Sequence, residues 1–244
     1  LVSVSGLPHV GSIATRLERD RVLRTVEEIS GILERREQEF TGRGLESMDA
    51  YRRLRASGGI DDPHGDVFLV VDGWFTLRQE YEDLENRVMD IAARGLAFGV
   101  HVVVSGVRWS ELRTRLRDLL GTKLELRLGD PVESEVGTRV AAGVPHQPGR
   151  GLVASGHHFL GALPRLDGFS DDSDLTAATK AAVAEIDPFW TGDSAPGVRL
   201  LPTSLSVDQL PRPEGDVRVC LGWDEQRLQP VWHDFAATPH LLVF

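Results

Sequence analysis

The stretch Asp66–Trp74 reads DVFLVVDGW. Five apolar residues, Val67 to Val71, run unbroken into Asp72. A run of that length bounded by polar residues predicts a strand buried on both faces, with a carboxylate at its carboxyl end. A second buried strand is expected over Val100 to Val104, all valine but for His101, and it ends at Ser105. Between them, residues 77–97 carry a helical pattern. Strand, helix and strand at this spacing predict a parallel pair, and ligands of parallel sheets bind beyond the carboxyl ends of the strands.

Outward from this unit, residues 17–40 predict a long amphipathic helix with Val22, Val26, Ile29, Leu33 and Phe40 on one face, stopped by Gly42 and Gly44. A shorter helix follows from Ser47 as N-cap to Arg55. Further helices are expected over residues 110–120 (capped by Ser110), 132–142 and 175–186. Lys123 to Leu128 predicts a third strand, and residues 151–155 and 158–163 a hairpin about Gly156. Leu1 to Val4 reads as a strand end. Pro, Gly, Ser and Asp enrich the stretch from Asp187 to Pro213, and three short strands are expected after it, over residues 217–221, 229–233 and 240–244.

The net charge of -10, from 37 acidic and 27 basic residues, disfavours sequence-independent DNA binding, which draws on clustered basic surface. Cys220 is the lone cysteine, so neither an internal disulfide nor a multi-cysteine zinc site can form within the chain. No apolar run reaches the length of a membrane span.

Three positions carry candidate chemistry. Asp72 suits a magnesium held through water and nucleotide phosphates, although capping the next helix is an equal reading. Ser105 can donate one hydrogen bond to a terminal phosphate, or serve only as a turn residue before Gly106. Arg150, between Gly149 and Gly151, can reach a phosphate across a subunit boundary, or lie in an ordinary loop. The partner such a site needs, a glycine-rich loop ending in Gly-Lys-Ser/Thr, does not occur: Lys123 and Lys180 both follow threonine. Gly73 stands where hydrolases of this kind often carry a water-orienting glutamate, so no catalytic residue is assigned.

The order of motifs resembles the FtsK/SpoIIIE-type ATPases over roughly residues 1–165. Pro8-His9 precedes a long helix ending in Glu34-Arg35-Arg36; VFLVVDGW matches the magnesium-site strand; ARGLAFGVHVVVSGVRW, PVESEV and PGRGLVAS follow in the family's order. Within the family the sequence is similar to the EccC-type ATPases of type VII secretion, at a degenerate second or third ATPase domain.

That resemblance implies an α/β fold, a P-loop NTPase-like and mostly parallel sheet with helices on both faces, truncated at the N-terminus. It implies an ATPase domain over residues 1–190 with its phosphate loop upstream of Leu1, a linker over 191–214, and the start of the next ATPase domain over 215–244. It further implies ATP and Mg as cofactors, held by Asp72 (also the metal ligand), Ser105 and Arg150, with weak hydrolysis. Esx-type secreted proteins, neighbouring ATPase domains, membrane components of the secretion machine and a ring-shaped homo-oligomer such as a hexamer are the implied partners, on the cytoplasmic side of the cell membrane. A DNA translocase domain and a non-catalytic protein-interaction module are the alternatives.

Overall fold

The computed structural model describes residues 1–213, 215 and 217–244. Its centre is β1 (Val67–Val71) hydrogen-bonded in parallel to β2 (Val100–Val104), with Val67 opposite Val100 and Val71 opposite Val104. Before them come α1 (Arg19–Arg43) and α2 (Met48–Ala56). Between the strands lie α3 (Trp74–Glu80), α4 (Glu82–Arg94) and a 3-10 turn, Gly95–Phe98.

The apolar stripe of α1 packs with α4 on one face of this pair. Val26, Ile29 and Leu33 meet Leu69, Val71, Trp74, Leu84, Val88, Ile91 and Val100 in one buried cluster. Burying each large aliphatic side chain contributes about 1.5–3 kcal/mol, so this cluster is the main source of stability. The opposite face is open: Phe68 is 60% exposed, Val70 49% and Val103 48%. Burial of β1 on both faces is therefore not what is observed, because helices cover only one side and alternate residues point away from them.

The long helix closes on Gly44 in the left-handed conformation, whereas Gly42 lies inside it. Ser47 caps α2, its hydroxyl accepting from the Ala50 amide at 3.3 Å. The helix expected over 77–97 is broken at Tyr81, which leaves helical geometry so that its ring is buried and its hydroxyl donates to the Arg16 carbonyl at 2.9 Å.

The remaining strands do not extend the parallel pair. β3 (Leu124–Leu126), β4 (Arg150–Val153) and β5 (His158–Leu160) form an antiparallel sheet, with the β4–β5 turn at Gly156 as expected. In β3 the apolar and polar sides are reversed. Leu124 and Leu126 are exposed, while Glu125, 3% exposed, turns inward to accept from Trp109 Nε1 at 2.8 Å, Ser134 Oγ at 2.7 Å and the Glu135 amide at 3.1 Å. This inward pull on Trp109 also displaces the predicted helix start. Trp109–Glu111 is a 3-10 turn, Ser110 caps nothing, and α5 (Thr114–Leu119) begins after Arg113.

Residues 132–142 hold a 3-10 turn, Pro131–Glu133, and one short helix, α6 (Thr138–Ala141). The last helix, α7 (Leu175–Ile186), has the predicted bounds. Leu1 to Val4 forms a 3-10 turn and not a strand end. β6 (Arg218–Trp223) and β7 (Pro230–Asp234) form a hairpin, but residues 240–244 find no strand to pair with and remain exposed coil. Glu214 and Asp216, at the predicted linker boundary, lie outside the described residues.

The bases of both central strands are held by one buried charge. Arg36 is 1% exposed. Its guanidinium donates to Asp62 Oδ2 at 2.9 Å, to the carbonyls of His64 at 3.1 Å and Gly65 at 2.7 Å, and to those of Phe98 at 2.8 Å and Gly99 at 3.4 Å. Gly99 has φ 68, so the turn requires glycine, and a Cβ there would crowd Met48 Cε at 2.6 Å and Arg36 Nη1 at 3.2 Å.

Asp62 also accepts from Tyr51 Oη at 2.6 Å and from the His64 amide at 2.9 Å, with the His64 ring at 3.1 Å. Burial opposes its ionisation, but the hydrogen bonds from His64 and Tyr51 and the charge of Arg36 outweigh that and hold its carboxyl well below the usual carboxylate range. The Tyr51 hydroxyl is pushed up to about 12 by burial and by its bond to Asp62.

Removing Arg36 takes the counter-charge from the largely buried carboxylate of Asp62 and leaves several carbonyls without their donor. Arg36→Met should cost about 3–5 kcal/mol in urea unfolding. A depressed carboxylate stabilises the folded state fully above its unfolded pKa of about 3.9 and loses that contribution as pH falls toward its folded value. The acid limb of stability below about pH 4 should therefore be shallower in Asp62→Asn than in the native chain, as followed by urea titration at stepped pH.

Candidate functional site at the ends of the central strands

The register set at the base of β1 and β2 determines what meets at their carboxyl ends. With Val71 opposite Val104, the next residues, Asp72 and Ser105, emerge side by side on an exposed surface. Ser105 Oγ donates to Asp72 Oδ1 at 2.6 Å and accepts from the Gly73 amide at 2.9 Å. The Ser105 amide donates to the Val71 carbonyl at 2.9 Å, and the Ser105 carbonyl accepts from the Trp74 amide at 2.8 Å. Ser105 is thus joined to four consecutive residues, 71 to 74.

The chain can turn here because Gly73 has φ 88, a conformation that L side chains rarely adopt. Gly73 is the N-cap of α3, and the following Trp74 is fully buried, anchoring the turn in the core. The Trp74 indole N–H has no hydrogen-bond partner among the described residues.

The loop after β2 is held by Glu111, a residue that carried no sequence signal. Its Oε2 accepts from the Val107 amide at 3.1 Å, and its carbonyl accepts from Arg78 Nη1 at 2.7 Å. Arg78 and Arg113 in turn flank the buried carboxylate of Glu85, at 3.3 Å and 3.1 Å, tying α3, α4 and this loop together.

Arg150 does not bond to this pair. It opens β4 in the antiparallel sheet, opposite Leu160, and forms no hydrogen bond or ion pair with Asp72 or Ser105 among the described residues. Its Nε is buried and has no hydrogen-bond partner among the described residues. The structure therefore brings two of the three candidates together.

His9 sits against the Trp190 ring at 4.1 Å between centroids, and Arg35 is exposed. Arg94 bridges α4 and α1 through Asp90 Oδ1 at 3.0 Å and Glu37 Oε1 at 2.5 Å, a packing role.

The donor set is suited to one metal. Asp72 is exposed, and among the described residues its Oδ2 takes no hydrogen bond and no cluster of three or more His, Cys, Asp or Glu gathers to hold a metal. A lone carboxylate suits magnesium, which keeps several waters and takes its other ligands from phosphates, and does not suit a metal needing an all-protein cage.

Parallel strands ending in an acidic residue and a hydroxyl, with helices packed behind them, make an α/β arrangement of the kind that P-loop NTPase-like proteins have. Comparison with known proteins makes this specific. The model of the FtsK/SpoIIIE family matches residues 1–167, and the chain belongs to that family.

The ESX secretion system protein EccC of Thermomonospora curvata is 56% identical over 247 residues, which take in 100% of this chain and 19% of that protein. The ESX-1 secretion system protein EccCb1 of Mycobacterium tuberculosis is 41% identical over 256 residues, 100% of this chain and 43% of that protein. Among solved structures, Thermomonospora curvata EccC (ATPases 2 and 3), in complex with a signal sequence peptide, superposes with a TM-score of 0.92 at 56% identity over 97% of this chain and 43% of that one. EssC (ATPases 2 and 3) from Geobacillus thermodenitrificans, 18% identical with a TM-score of 0.67, shares the fold. The chain spans less than half the length of these relatives. No helix among the described residues is long and apolar enough to cross a membrane.

Gly73 and Gly42 should respond oppositely to the same substitution. Gly73→Ala forces a Cβ into positive φ and should destabilise by about 1 kcal/mol or more; Gly42→Ala, inside α1 with nothing within 4 Å, should stabilise by about 0.5–1 kcal/mol. Denaturant unfolding of both variants measures the difference.

Proposed function

We propose that this chain is part of an EccC-like secretion motor, a degenerate ATPase module that holds ATP and Mg in the intact protein and hydrolyses ATP weakly. The observation that supports this most is the Asp72–Ser105 pair at the carboxyl ends of adjacent parallel strands, within the segment that matches the ATPase family.

Membership in that family implies nucleotide use. In the proposed site Asp72 is the magnesium-side carboxylate, and bound Mg would neutralise phosphate charge. Ser105 belongs to the phosphate end of the same site. Arg150 serves a nucleotide or domain contact outside the pair. Weak turnover follows from Gly73, which offers no group to orient or deprotonate a water.

The proposed domain division is an ATPase unit to about residue 190, a linker to 214, and the opening of a further ATPase unit beyond it. In support, the β6–β7 hairpin makes its own two-stranded sheet. Export of Esx-type helical-hairpin proteins, recognised through a carboxyl-terminal signal, is the proposed role of the whole machine, acting at the cytoplasmic side of the membrane in ring-shaped assemblies. The signal-peptide complex of the Thermomonospora curvata protein supports that reading. The net charge of -10 favours protein over DNA as cargo.

Titration calorimetry on the full-length protein tests the reading. Asp72→Ala should weaken Mg-dependent ATP binding by about a hundredfold or more, since a metal ligand is worth several kcal/mol. Signal-peptide binding that survives while no nucleotide heat is lost would favour a non-catalytic interaction module. A salt-dependent DNA shift would favour a translocase.

A further inference from the structure

We infer that Ser105 is the positioning residue of Asp72 and does not itself contact phosphate, an inference that rests on the nucleotide reading above. A serine hydroxyl has a single proton to donate. Here it goes to Asp72 Oδ1, at 2.6 Å, within the short range expected when the acceptor is charged. The lone-pair side of the same oxygen accepts from the Gly73 amide at 2.9 Å. The backbone of Ser105 is held on both sides, by the Val71 carbonyl and the Trp74 amide, so the hydroxyl is carried on a fixed support.

A group that senses a terminal phosphate needs a free donor directed at it. Ser105 has none while this bond lasts. What it provides is orientation. One carboxylate oxygen of Asp72 is occupied by the serine, and Oδ2, which takes no hydrogen bond among the described residues, is left for the water shell of a metal. Metal ligands are commonly oriented this way, and loss of the orienting partner typically costs 10–100-fold in metal affinity. Glu111 adds to the fixity: through the Val107 amide it holds the loop that leaves Ser105.

The two roles differ in what they discriminate. A phosphate sensor distinguishes ATP from ADP. A residue that positions a magnesium ligand acts on both nucleotides, and only through the metal.

The test uses the full-length protein, with Mg²⁺ titrated against nucleotide binding for native protein, Ser105→Ala, Ser105→Thr, Asp72→Ala and the Asp72→Ala/Ser105→Ala double variant. Ser105→Ala should raise the Mg²⁺ concentration for half-saturation about 10–100-fold with ATP and ADP alike, and leave metal-free binding unchanged. Ser105→Thr, which keeps the hydroxyl at an exposed position, should return it to the native range. In the Asp72→Ala background the serine substitution should add nothing, because both act through one carboxylate.

A loss confined to ATP at saturating Mg²⁺ would overturn the inference in favour of a direct phosphate contact. So would an unaffected Ser105→Ala beside a crippled Asp72→Ala. If Asp72→Ala itself changes nothing, the nucleotide reading fails and the positioning role fails with it, an outcome distinct from the other two.

Discussion

The buried guanidinium of Arg36 is the constraint on which the other contacts around β1 and β2 depend. An arginine inside a protein must satisfy its donors or lose several kcal/mol, and here the acceptors are carbonyls of two separate chain segments. His64 and Gly65 lie just before β1, and Phe98 and Gly99 just before β2. The Gly99 carbonyl also accepts from the Val67 amide at 2.9 Å. One side chain thereby sets where both strands begin. Because each residue of a strand advances about 3.3 Å, a register fixed at the base is carried to the top, where it appears as Asp72 beside Ser105. A slip of one residue would place Val104 or Gly106 there, and neither can offer a side-chain proton.

Helix α1 extends this influence to the far end of the chain. Arg24, also buried, lies 12 residues before Arg36, about 18 Å along the helix. Its guanidinium donates to the Arg199 carbonyl at 3.1 Å, to Glu28 at 2.8 Å and to the Gln226 carbonyl. Gln226 Nε2 adds a bond to Glu27 at 3.1 Å. The segment around residue 199 and the β6–β7 turn are therefore fastened to the same helix that fastens the strand bases.

How much of this was legible in the sequence follows from what kind of signal each feature leaves. The central strands announced themselves by an unbroken apolar run in β1 and a valine-rich run interrupted only by His101 in β2, and the topology rule for parallel sheets then pointed to Asp72 and Ser105. Hydropathy, however, has no term for a charge buried with its acceptors. Arg36 was visible within a motif, but its role as a carbonyl clamp was not, nor was the inward turn of Glu125 in β3. The break at Tyr81 and the loss of a cap at Ser110 share that origin: each arises because one polar group on an aromatic ring, the Tyr81 hydroxyl or the Trp109 N–H, finds a distant partner. The open face of Phe68, Val70 and Val103 was hidden for another reason, since an unbroken apolar run looks the same whether or not a second layer of helices covers it. Arg150 lay in a motif of flanking glycines, which signals a turn before a strand and says nothing about what the side chain meets.

Gly73 joins these strands of argument. Read as a letter, it is the absence of a glutamate. In the fold it is a turn with φ 88 that lets its own amide reach the Ser105 hydroxyl and lets Trp74 drop into the core. A side chain at this position would be strained, because the backbone lies at positive φ. On the proposed reading, weak hydrolysis and a firmly oriented metal ligand are two consequences of one backbone conformation. On the same reading nucleotide would act as a structural ligand, whose binding free energy adds to the stability of the state that carries it.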